Sequence, residues 1–162
     1  MDGPPRRLRI LHAVEFYAPS RGGAQEVVRR ISEGMAARGH DVTVATTKLA
    51  ERTATRLNGV KIREFDVAGN AIRGIRGDSY GYQRFLVEEP FDVIMSYAAQ
   101  QWTTDLLLDV ADEISSPVIC APCGYSGLRD PVFADYFAAL PGKLRRLDAT
   151  IYHSSGYQDI EF

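Results

Sequence analysis

Along this chain the apolar positions come in blocks whose period changes from one block to the next. Leu8 to Val14 (LRILHAV) is a short apolar run with no charge after Arg9, the pattern of a parallel strand covered on both faces. Ala24, Val27, Val28, Ile31 and Met35 then recur at helical spacing, with Glu26, Arg29, Arg30, Glu33 and Arg38 on the opposite side, which predicts an amphipathic helix with one buried stripe. Gly39 follows, where a left-handed cap needs a residue without a Cβ, and Asp41–Thr47 returns as a β-branched strand. Together these make a βαβ unit.

The theme repeats downstream. Lys48–Asn58 reads as a short helix or loop, Asn58-Gly59 as a turn, and Val60–Val67 as a third, more exposed strand. Ala68–Gly77, with three glycines and Arg73 and Arg76, reads as a solvated connector. Ser79–Glu89 predicts a helix that stops before Pro90, followed by a strand over Phe91–Ser96. In the helix predicted over Gln101–Ile114, Leu106, Leu107, Val110, Ala111 and Ile114 face inward, and Asp105, Asp109, Asp112 and Glu113 form a wet face. Val118–Ala121 is a short buried strand, Pro131–Leu140 a helix broken at Pro141-Gly142, and Ala149–His153 a sixth strand. Ser155–Gln158 has the spacing of a capping box that opens a further helix. Strands alternating with helices predict an α/β, doubly wound, mostly parallel sheet with helices on both faces, a three-layer Rossmann-like domain spanning 8–162 after a loose tail at 1–7.

Composition narrows the class little: 162 residues, 45% hydrophobic and 25% charged, fit one ordinary globular domain. A net charge of −2 gives no general attraction to nucleic acid, and Arg6, Arg7 and Arg9 read as a solvated basic end. The apolar run after those arginines is too short for a signal-peptide core, and none approaches the ~20 residues of a membrane span, so a cytoplasmic location is expected.

Chemistry is expected outside the carboxyl ends of the strands, in loops 15–23, 97–102, 122–130 and 154–156. In the first, Gly22-Gly23 opens the helix. Its backbone N–H groups, with those of Ala24 and Gln25, are placed to face an anion with the helix dipole behind them; equally, the pair supplies positive φ to a strand-to-helix turn. It is not the dinucleotide fingerprint, which places its glycines directly after the strand. Tyr97, Trp102 and Tyr125 are candidates for stacking on a sugar or another planar group. Cys120-Ala-Pro-Cys123 is a C-x-x-C, but it follows the fifth strand and has no second cysteine pair, so structural thiols are expected. His12, His40 and His153 read as structural imidazoles, and no nucleophile elbow, P-loop or metal motif is present.

Tyr17 to Thr47, YAPSRGGAQEVVRRI through ARGHDVTV, resembles the N-terminal domain of family 4 retaining glycosyltransferases of the GT-B fold. The resemblance implies a transferase moving a sugar from a nucleotide-sugar donor to an unidentified acceptor without metal or other cofactor. It implies that Gly22, Gly23 and Ala24 meet the donor diphosphate and that Glu15, Tyr17, Tyr97, Trp102, Tyr125 and Ser126 contact acceptor or sugar. Many members place a histidine after the fifth strand to contact the donor sugar. Cys123 stands there instead, and a thiol is a weak donor. The family continues into a second, donor-binding domain, so this chain reads as an acceptor-side half that is inactive alone. Its expected partners are that domain, the donor, and a sugar, lipid-linked or small-molecule acceptor, with peripheral membrane contact left open. A nucleotide-sugar epimerase of the same fold and a non-catalytic Rossmann-like binding module are the alternatives.

Overall fold

The computed structural model describes residues 6–156 and Ile160. In chain order the elements are β1 (Arg9–Ala13), α1 (Gly23–Ala37), β2 (Asp41–Thr47), β3 (Arg56–Leu57), β4 (Val60–Phe65), β5 (Val67–Asn70), β6 (Gly74–Gly77), α2 (Ser79–Glu88), β7 (Val93–Tyr97), α3 (Trp102–Asp109), β8 (Val118–Ala121), α4 (Ala134–Leu144) and β9 (Ala149–Thr150). Seven strands form one sheet in the order β3-β4-β2-β1-β7-β8-β9, parallel except for β3. The fold is therefore the doubly wound α/β sheet that the alternating pattern predicts. From the central pair β1 and β7 the strand order runs outward in opposite directions, so a crevice opens outside their carboxyl ends.

Successive β1 residues point to opposite faces and so belong to different cores. Ile10 and Val14 pack with Val28, Val42, Val44 and Val60 under α1. Leu11 joins Ile94, Tyr82, Leu86, Trp102 and Leu107 under α2 and α3. A third cluster, Leu108, Cys120, Tyr125, Phe137 and Leu140, seats α4. Gly39 takes φ +91° at the end of α1, and the His40 N–H reaches the Met35 carbonyl at 3.2 Å, the cap that the sequence predicts. No helix among the described residues is long and apolar enough to cross a membrane.

Several elements differ from the sequence pattern. Ala68–Gly77 is the hairpin β5–β6 and not a connector. At Gly69 and Gly77, both at φ +100°, an added Cβ would run into the backbone carbonyls of Gly74 and Asp66, so close strand approach explains these glycines. Within 48–58, β3 forms a hairpin with β4 through Asn58-Gly59, both at positive φ. Val60–Val67 divides at Asp66 between β4 and β5, α3 stops at Asp109, and β9 is only two residues long. Helix α4 runs through Pro141 to Leu144, because a proline there forfeits one hydrogen bond while Phe137, Leu140 and Leu144 keep the helix seated. The helix expected from Ser155 falls mainly outside the described residues.

The stripe of α1 is also rotated from the predicted one: Val27 is exposed and Ser32 is fully buried. Ser32 Oγ lies 2.7 Å from His12 Nδ1, a contact between a strand and the helix above it that hydrophobic periodicity cannot anticipate. The His12 ring is 3% exposed, and burial lowers its pKa to about 4 from the usual 6.5. Because the unfolded chain binds this proton more readily, the neutral His12 contributes its full stability above pH 6.5, and that stability is lost as pH falls toward 4. The loss amounts to about 3 kcal/mol. Urea unfolding at a series of pH values should therefore show a shallower acid loss for His12→Gln than for the parent. Parallel curves would show that the ring does not titrate in this way.

Candidate functional site

The crevice is built from loops tied to one another at the carboxyl edge of the sheet. The first follows β1. Glu15 holds it to β2, its carbonyl accepting from Thr47 N–H at 2.8 Å and Thr46 Oγ1 at 2.9 Å, and holds it to the far side through Gln101, whose Oε1 accepts the Glu15 N–H at 3.0 Å. Beyond it, Arg52 fixes Tyr17 and Ala18. This guanidinium is buried, and it donates to the carbonyls of Tyr17 (2.9 Å), Ala18 (2.7 Å) and Thr47 (2.8 Å) and to the Glu64 carboxylate. Such a planar fork satisfies several acceptors at once, as a lysine ammonium on a flexible stem cannot.

The loop so fixed delivers Gly22 and Gly23 to the start of α1. Gly22 is extended (φ 180°) and provides no side-chain cap, and Gly23 is not among the residues at positive φ. The positive-φ explanation of the pair is thus removed. A Cβ added at Gly23 would meet no atom within 4 Å, and one at Gly22 would press only on the movable Gln25 amide. The N–H groups of Gly23, Ala24 and Gln25 have no helical carbonyl behind them, and the helix dipole adds partial positive charge there. A cleft of about 690 Å³ opens beside this first turn, with Ser20, Arg21, Gln25, Glu26 and Arg29 in its wall, Glu26 pairing with Arg29 at 2.8 Å. This arrangement can receive an anion against bare backbone.

Across the crevice, the β7–α3 loop is strained. Ala98 (φ +71°) and Gln100 (φ +57°) lie in the left-handed region, as does Cys123 (φ +62°) after β8, at a cost of order 1 kcal/mol each, and such outliers gather at functional sites. Gln100 joins the two loops. Its side-chain amide donates to the Ser126 carbonyl at 2.8 Å and accepts the Ser126 N–H at 2.7 Å, while its own carbonyl accepts from Asn70 and its N–H reaches Tyr136 Oη.

The aromatic residues expected to contact acceptor or sugar are buried. Tyr17 and Trp102 are fully buried, and Tyr97 and Tyr125 are 3% and 5% exposed. Tyr17 packs under α1, and burial pushes its phenol up to about 12. Trp102 sits edge-on to Phe65 and Tyr82 and donates from Nε1 to Thr47 Oγ1 at 2.8 Å. Rings without an open face have none to offer a sugar, so in this domain they support the loops instead of lining them. Glu15 is half-buried in the loop after β1, and burial, followed by the charge of Asp105, raises its pKa. Ser126 is exposed, and Cys123 is half-buried; Cys120 and Cys123 form no disulfide. His40 accepts from Leu8 N–H at the opposite edge, and His153 Nε2 lies 3.3 Å from Tyr97 Oη.

Sequence reasoning missed Arg52, Gln100, Gln101 and Asp105. Asp105 is a correction: expected on the wet face of its helix, it is 3% exposed, accepting from Ala71 N–H at 2.8 Å and Tyr136 Oη at 3.2 Å. The one available signal was the polar pair Gln100-Gln101 between an apolar strand and an apolar helix. Arg52 looked like any charge in a polar stretch.

The fold agrees with what comparison finds: a family model described as a glycosyl transferase 4-like domain matches residues 22–158. The chain belongs to this family, and its activity is of the glycosyltransferase type, acting on a sugar donor and an acceptor. A search of curated proteins finds no match.

Replacing Arg52 with Met should cost about 3 to 5 kcal/mol, because three carbonyls and a carboxylate lose a shared buried donor. Arg52→Lys should recover only part of it. Urea denaturation of the three proteins measures this, and a loss below about 1 kcal/mol for the Met variant would show that water replaces the guanidinium freely.

Proposed function

We propose that this chain is the acceptor-side domain of a GT-B glycosyltransferase that moves a sugar from a nucleotide-sugar donor to an acceptor with retention of configuration and without a metal. The observation that carries the proposal is the bare helix start at Gly22-Gly23, which lies beside the central crevice of the sheet with open space at Gly23. A diphosphate reaching that space gains backbone N–H donors and the positive end of the α1 dipole, the combination that favours anions at helix N-termini. The oxygens of the leaving diphosphate gain charge as the donor bond breaks, so the same donors stabilise that step more than they stabilise the intact donor.

Glu15, half-buried in the loop after β1, carries a carboxyl able to hydrogen-bond acceptor hydroxyls. Cys123 and Ser126 border the same space on the strained loop that Gln100 holds. The thiol offers little to a donor sugar, so the sugar contacts fall to neighbouring groups. This chain forms one wall of a two-walled cleft, and turnover requires a second domain to supply the other.

Because Gly23 is neither at positive φ nor crowded, Gly23→Ala tests the diphosphate directly. In the complete enzyme its melting temperature should stay within a degree or two of the parent, since alanine is a better helix former. Affinity for a nucleoside diphosphate should fall more than tenfold, through loss of a charge-assisted hydrogen bond worth about 1.5 to 3 kcal/mol. Parental affinity at parental stability would overturn the proposed role of the glycine pair.

A further inference from the structure

A second cavity, of about 240 Å³, lies apart from the glycine pair, enclosed by the β5–β6 turn, α3 and α4. Its volume equals that of about eight waters, enough for a small organic molecule. Leu108, Leu140, Ala139 and Ile72 give it an apolar wall, and the buried carboxylate of Asp105 lies among them with Tyr136. Among the described residues Asp105 accepts from Ala71 N–H through one oxygen and from Tyr136 Oη through the other. An ionised carboxylate has about four acceptor positions, so each oxygen retains capacity for another donor.

Charge at this place is unbalanced. Lys143, at the cavity wall, is held by Asp109 at 2.7 Å and also attracts the Asp105 charge, so one ammonium serves two carboxylates. Among the described residues neither Asp105 inside nor Asp135 at the exposed rim has a cation within salt-bridge distance. A buried carboxylate that shares its cation with another carboxylate is costly to keep ionised, and an organic ammonium ion with a short apolar body would relieve that cost while covering Leu108 and Leu140.

We propose that the Asp105 cavity is a binding site for a small organic cation, a primary ammonium group on a short hydrocarbon body. The ammonium donates to the free positions of the Asp105 carboxylate, Asp135 adds attraction at the mouth, and the apolar wall holds the hydrocarbon. Occupancy also reaches the crevice. Burial raises the pKa of Asp105, and the Asp105 charge in turn raises that of Glu15, so a bound cation relaxes the repulsion between the two. Asp105 further anchors Tyr136, which receives the Gln100 N–H, so the cavity and the strained loop share one hydrogen-bond chain.

The site is independent of the donor reading and can be tested without turnover. The full 162-residue chain is titrated by two-dimensional NMR with n-butylammonium chloride, and with n-butanol as the neutral counterpart, at fixed ionic strength and mildly alkaline pH. Saturable shifts centred on Ala71, Leu108 and Ala139 are expected with the ammonium salt only. Asp105→Asn should weaken binding by more than about tenfold. Should that variant fail to fold, Ala139→Phe decides, since it narrows the mouth from an exposed position and should abolish the shifts. Absence of saturable shifts in the parent, an equal response to n-butanol, or parental binding by either folded variant would overturn the proposal.

Discussion

The arrangement of the β1–α1 loop depends on one buried guanidinium. Arg52 comes from the stretch between β2 and β3, yet its donors end on carbonyls of the β1–α1 loop and of the end of β2. A backbone segment that leaves a sheet edge and crosses to a helix carries carbonyls with no ladder partner, and burying them unpaired costs more than any single contact recovers. One planar side chain resolves several of these at once. The glycine pair can then stand uncapped at the helix start, because the loop leading to it is held from behind and needs no side chain of its own there.

On the opposite side of the crevice the same task is divided among amides. Gln101 accepts from the first loop, and Gln100 clasps the β8 loop through Ser126 while its backbone is held in a left-handed conformation. Trp102 brings the start of α3 against Thr47 at the end of β2. Three parallel strands therefore end in loops whose polar groups satisfy one another, and the local strain at Ala98, Gln100 and Cys123 persists because several elements determine it together.

How residue types divide between support and exposure follows from the same economy. Tyr17, Tyr97, Trp102 and Tyr125 turn inward, where their area stabilises the cores, while Phe16, Gly22, Gly23 and Ser126 are the exposed groups of the same strand-end loops. Membership in the glycosyl transferase 4-like family accords with this edge, whose most open feature is backbone.

The main alternation of strands and helices, the parallel sheet and the capped end of α1 were readable from the sequence, because periodicity and glycine placement are local consequences of burial and backbone sterics. Residues 68–77 were misread because their glycines answer to a neighbouring strand's carbonyl and not to a loop. The polar network was not readable at all. Asp105 occupies a helical position that periodicity assigns to solvent, and only the packing of α4 and the β5–β6 turn over it closes that position. Tyr17 and Trp102 sit in strand-end loops by sequence, but whether a ring faces ligand or core depends on which way the assembled layers leave room. Local pattern thus determined the elements and their order, while tertiary structure alone decided which buried polar groups would meet, since hydrogen bonds across layers join residues that no sequence period relates.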